Sequence, residues 1–138
     1  MYEKLLVAVD HSKATKHVLG AARDLASLSD GEVWVVHLRE REIMPRAGLM
    51  ASESADEAQA LLDAAVEQLT RAGIKAHGVV RSTVYGHAAP EIIEDANNLD
   101  VGVIIVGSRG RGDLAGLILG STAHKVIHLA DRPVLVVR

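Results

Sequence analysis

Two stretches of this sequence, LLVAV within Lys4 to Val9 and VIIV within Val101 to Val106, are almost continuously apolar yet only a few residues long. Runs that short do not span a bilayer, and a strand that is apolar on both of its alternating faces demands cover from both sides, as a parallel strand of an α/β sheet receives. Three further strand-like runs are Glu32 to Leu38 (EVWVVHL), Ile74 to Val80 (IKAHGVV) and Pro133 to Val137 (PVLVV). Between the runs, apolar residues recur every three or four positions: Ala14, Val18, Ala22 and Leu25; Leu61, Leu62, Ala65 and Leu69; and a segment from Leu114 to about Leu129. Pro90 to Leu99 reads as a shorter helix with proline in its first turn. The alternating βαβα order and right-handed crossovers predict one three-layer, doubly wound α/β domain over residues 1–138, with five parallel strands.

Composition narrows the class. The chain has 138 residues, 49% of them hydrophobic, no cysteine or phenylalanine and a formal charge of −3. Without cysteine there is no disulfide framework, thiolate nucleophile or thiolate metal site. Without a basic excess there is no global field for nucleic acid. No apolar run is long enough for membrane insertion, and Met1 leads straight into YEKLLVAVD, so a soluble, cytoplasmic protein is expected.

One long stretch, Arg39 to Ser52 (REREIMPRAGLMAS), reads as an irregular loop before a helix announced by the capping box Ser54 to Glu57. It is expected to be a surface excursion, with a lid or a partner-binding loop as the alternative. His124 and His128 share a helix face, but no third ligand accompanies them, and His37 at the end of the second strand reads as a packing residue, so no metal site is expected.

The stretch VGSRGRGDLAGLILGST, residues 106–122, holds five of the chain's 12 glycines after an apolar strand and before a helix. That is the carboxyl end of the sheet, where open α/β folds bind ligands. Glycines allow close backbone approach, and a helix start presents unpaired N–H groups, a combination suited to phosphate. Gly107 to Gly112 has P-loop glycine spacing, but Asp113 and Leu114 replace the required Lys and Ser/Thr. Gly110, Gly112 and Ala115 satisfy a loose dinucleotide fingerprint, yet the strand that should supply the acidic ribose partner is PVLVVR.

What remains is G-x2-G-x9-G-S, formed by Gly107, Gly110, Gly120 and Ser121. With LLVAVDHS, VVHL, VGSRGRG and DRPVLVVR in the corresponding order, the chain resembles the ATP-binding branch of the universal stress protein family along nearly its whole length. The resemblance implies a sheet of order 3-2-1-4-5 of the adenine nucleotide alpha hydrolase-like type, a homodimer, and ATP at the carboxyl ends of the strands, with Mg2+ bound through the phosphates. It places Asp10 at the ribose; Ala8, Val9 and Leu38 at the adenine; Val106 and Gly107 near the sugar and first phosphate; and Gly110, Gly120, Ser121 and the Thr122 N–H on the phosphates. Arg109 and Arg111 either compensate phosphate charge or solvate an exposed loop.

Each residue has a second reading. Asp10 and Ser12 stand where an N-cap of the first helix is expected, while Gly120 and Ser121 can serve close packing. Gly102 departs from the family pattern, which commonly has Asp there, and Ser82 to Pro90 is longer than its usual turn. The expected function is nucleotide-dependent regulation in a stress response through an unknown protein partner, with no catalytic residue assigned. A slow Mg-dependent ATP hydrolase, a cyclic AMP or AMP binder and a non-nucleotide dimeric interaction module are the alternatives. The final strand, Pro133 to Val137, is an uncharged sheet edge, the place where a homodimer would pair.

Overall fold

The apolar runs form adjacent strands. The structure, a computed structural model, describes residues 1–109 and 119–138. In chain order the elements are β1 (Lys4–Val9), α1 (Thr15–Ser29), β2 (Glu32–Met44), β3 (Gly48–Ala51), α2 (Ala55–Arg71), β4 (Ala76–Val84), α3 (Ala88–Leu99), β5 (Val103–Gly107), α4 (Ser121–Leu129) and β6 (Val134–Val137).

The parallel strands lie side by side as β4-β2-β1-β5-β6. Alternate residues of β1 feed opposite faces. Leu5, Val7 and Val9 pack with Val33, Val35 and Ile105 beneath α1 and α2, and Leu6 packs with Val36, Ile104 and Val106 beneath α3 and α4. Two filled layers explain why LLVAV has no polar face. Each fully buried Leu, Ile or Val side chain contributes about 1.5 to 3 kcal/mol of apolar transfer.

The expected α/β class is present, with corrections. Among the described residues the sheet has six strands rather than five and is mixed, because β3 runs antiparallel to β2. The stretch Arg39 to Ser52 is therefore mostly strand. Pairing of Arg39, Glu40 and Arg41 with Ser82, Thr83 and Val84 carries β2 and β4 past their expected ends. Pro45 then opens a tight turn closed by Ala47 N–H to Met44 O at 3.2 Å, with Arg46 and Gly48 at φ of 71° and 76°. Of the last helix expected from Leu114, residues 114–118 lie outside the described residues; Leu119 and Gly120 are not helical, and α4 starts at Ser121.

The capping box holds, with the Glu57 N–H donating to Ser54 Oγ at 3.0 Å. Pro90 sits in the first turn of α3 as expected. At position 102 a side chain would collide with the Met1 carbonyl oxygen, which accounts for glycine there.

Candidate site at the carboxyl ends of the strands

Strand register brings most of the expected residues to one end of the sheet. Val9 stands opposite His37 on β2, Val7 opposite Ile105 on β5, and Gly107 opposite Val137 on β6. Ala8 and Leu38 are partly buried against the α3/α4 side, where Val106 is fully buried.

The ends of the glycine-rich segment are pinned together. Ser108 N–H donates to Val137 O at 2.7 Å, and Gly120 N–H donates back to Ser108 O. Gly107 and Gly120, distant in sequence, therefore flank one point at the end of β5. Gly110 lies outside the described residues. Gly120 is the N-cap of α4, and the first intrahelical bond is His124 N–H to Gly120 O at 3.0 Å. The amides of Ser121, Thr122 and Ala123 consequently have no intrahelical acceptor, which leaves a helix start equipped for an anion. Gly107 has a packing reason as well: a methyl group there would come within 3.0 Å of the Arg109 carbonyl oxygen and 3.4 Å of Val18 on α1.

Asp10 does not cap α1. Ala14 occupies the N-cap position without a side-chain bond, because the chain makes a further turn before the helix begins. Asp10 Oδ1 instead accepts from the Ser12 N–H at 2.8 Å and faces Thr15 Oγ1 at 3.2 Å, which stiffens the β1–α1 connection. Ser12 Oγ is buried with no hydrogen-bond partner among the described residues. Nearby on β2, burial raises the Glu40 carboxyl above the usual glutamate range, and the charges of Asp10 and Glu42 push it the same way. One side of the site thus collects acceptors for hydroxyl donors, and the α4 side collects N–H donors for an anion. This is the division of labour that a sugar phosphate requires.

Sequence spacing does not reveal a third group. His11 follows β1, His37 lies on β2 and Glu53 immediately precedes the N-cap of α2. His11 Nε2 meets Glu53 Oε2, and His37 Nε2 lies 2.6 Å from Glu53 Oε1. Burial pushes the Glu53 carboxyl up, but the hydrogen bonds and charge of His11 and His37 outweigh it, so the net displacement is downward. The signal available in sequence was weak: a histidine ending one apolar strand, another just past the neighbouring strand, and a glutamate beside a capping box. Elsewhere, a groove of about 500 Å³ runs between α2 and β4 and is lined by Gln59, Asp63 and Thr70, away from this end of the sheet.

The Universal stress protein family model matches residues 1–138. Universal stress protein YxiE of Bacillus subtilis is 31% identical, over all of both chains. A universal stress protein structure from Archaeoglobus fulgidus superimposes with a TM-score of 0.78 at 31% identity, covering 100% of each chain. Another from the same organism, in complex with dAMP, does so with a TM-score of 0.74 at 29% identity, covering 99% of this chain and 98% of the other. The sheet order, the pinned glycine segment and these whole-length similarities agree: this chain belongs to the universal stress protein family.

Proposed function

We propose that the chain, acting as one domain over residues 1–138, is an ATP-binding universal stress protein that couples nucleotide occupancy to a regulatory partner. The observation that carries this reading is the start of α4, without a side-chain cap among the described residues and held beside the end of β5 by the Gly120 to Ser108 hydrogen bond, with Asp10 directly after the neighbouring strand β1. In this reading the Asp10 carboxylate accepts from ribose hydroxyls, and Ala8, Val9 and Leu38 line the adenine. Val106 and Gly107 lie along the sugar and first phosphate. Gly110, Gly120, Ser121 and the Thr122 N–H hold the phosphates, Arg109 adds positive charge, and Mg2+ is carried by the phosphates. A relative solved with dAMP supports an adenine nucleotide in this fold. Each exposed amide–anion contact contributes roughly 0.3 to 1 kcal/mol, so micromolar affinity, about −8 kcal/mol, needs the cradle and adenine burial together.

Calorimetric titration of MgATP into nucleotide-free protein tests the reading. Micromolar binding is expected, with at least a tenfold loss in a Gly120→Val, Ser121→Ala double variant. A folded wild type that takes up no nucleotide would sink it. The edge strand β6, with Leu135 40% exposed, is the proposed homodimer seam over Pro133 to Val137. Sedimentation velocity should show a dimer for the wild type and a monomer for Leu135→Lys; a monomeric wild type would discard the seam.

A further inference from the structure

The contact between His37 and Glu53 needs a cation. His37 Nδ1 lies 2.9 Å from Val9 O, and a carbonyl oxygen can only accept, so Nδ1 carries the hydrogen. In the neutral ring, Nε2 is then a bare lone pair. It faces Glu53 Oε1 at 2.6 Å, another acceptor, and the second oxygen of the same carboxylate faces His11 Nε2. Lone pairs this close are held together by protons or by a metal ion.

We propose that His11, His37 and Glu53 form a binding site for a divalent transition metal of the zinc class, with three protein ligands and a fourth position open to solvent. One ligand atom from each residue lies within 4.8 Å of the others. A tetrahedral ion with bonds of about 2.0 to 2.2 Å spaces its ligands by roughly 3.3 Å, so loading requires only a small withdrawal of the carboxylate from the two rings. The Nδ1–H to Val9 carbonyl bond is the outer support that fixes a metal-binding histidine in the correct tautomer. His37 and Glu53 side chains are 3% and 4% exposed, whereas His11 is 32% exposed and lies in a bend where it can adjust. Solvent therefore reaches the cluster on the His11 side, and a water molecule completes the coordination. Arg39, the nearby guanidinium, donates its Nε–H to the Glu53 backbone carbonyl at 3.1 Å and leaves both carboxylate oxygens to the imidazoles.

The donor set selects the ion. Two imidazole nitrogens and one carboxylate suit Zn2+, Co2+ or Ni2+, whereas Mg2+ and Ca2+ favour all-oxygen shells. The site does not depend on phosphates, so it stands or falls separately from the nucleotide reading. Its ligands come from the end of β1, from β2 and from the residue preceding the cap of α2, so a bound ion would clip three segments of the fold together.

The test uses the full chain, stripped of metal and nucleotide, at neutral pH. Zn2+ titration by calorimetry should show one tight site per chain, and saturating Zn2+ should raise Tm by several degrees. His11→Ala and Glu53→Gln should each weaken binding at least tenfold and abolish the Tm rise. A His124→Ala, His128→Ala double variant should bind as the wild type does, because that exposed pair is not part of the site. Zinc-induced shifts of histidine ring signals in the wild type should fall on His11 and His37, a readout that needs no variant to fold. Absence of zinc binding by the folded wild type, unchanged affinity in both cluster variants, or loss of binding in the His124/His128 variant would each overturn the proposal. In the first case the cluster is held by protons alone.

Discussion

Strand β2 carries Glu32 at one end and Glu40 toward the other, and the fold treats the two carboxylates in opposite ways. Glu32 is met by His77 at 3.1 Å and Lys75 at 3.3 Å. Its hydrogen bond with His77 is the largest influence and, with Lys75, overcomes partial desolvation, so its carboxyl lies below the usual range. Glu40 is raised by burial and by the like charges of Asp10 and Glu42, with only partial relief from His37 and Lys125. Both residues belong to one strand and one face, so local sequence cannot account for the difference. At the amino end of the sheet Glu32 is charge-matched by Lys75 and His77. The carboxyl end keeps carboxylates together and, among the described residues, leaves the first amides of α4 without a side-chain cap, an arrangement that costs stability unless a partner completes it.

The comparison breaks most visibly at Arg132, which joins elements at the amino end. Its guanidinium is 15% exposed and donates to Ala96 O at 2.8 Å, Val101 O at 2.9 Å and Asn97 Oδ1 at 2.6 Å, tying the end of α3 to the approach to β5. Arg132→Ala removes three hydrogen bonds from a charged donor, although Ala96 O keeps the backbone N–H groups of Asp100 and Val101, and is expected to cost about 2 kcal/mol in urea denaturation. MgATP affinity should stay unchanged, because nothing at the carboxyl end is touched. A large loss of affinity would show that the two ends are coupled.

Smaller effects come from the glutamates themselves. A carboxyl raised in the folded state binds its proton more tightly there than in the unfolded chain. The contribution of Glu40 to stability therefore falls as pH rises from the ordinary glutamate value through the raised one. Glu40→Gln should raise Tm at neutral pH, and the gain should fade under acid. Glu32 has the opposite sign: its stabilisation is present above the ordinary glutamate value and is lost as pH falls through the lowered one. Glu32→Gln should lower Tm at neutral pH, and by the least of these changes, since Glu32 pairs with the solvent-exposed Lys75 and His77. Thermal melts of both variants across pH measure the contrast; shifts of the same sign would dissolve it.

Much of the architecture was legible because it follows from short-range patterns. LLVAV and VIIV are buried on both faces and could hardly be anything but central strands. Ser54 and Glu57 announced α2 through an interaction that spans one helical turn. REREIMPRAGLMAS was harder to read. Its first half becomes strand only because β4 offers Ser82, Thr83 and Val84 as partners, and its second half only because Pro45 to Gly48 folds it back. The capping reading of Asp10 failed because the chain makes a further turn before the helix starts at Thr15.

The sequence by itself determined the layer order, the faces of the strands and the family, since each depends on periodicity or on motifs that lie along the chain. Tertiary structure alone decided that His11, His37 and Glu53 share one point, and that Glu32 and Glu40 differ in sign. Those properties depend on which strands become neighbours and how deeply each group is withdrawn from water, and electrostatic interactions act across space without regard to separation along the chain.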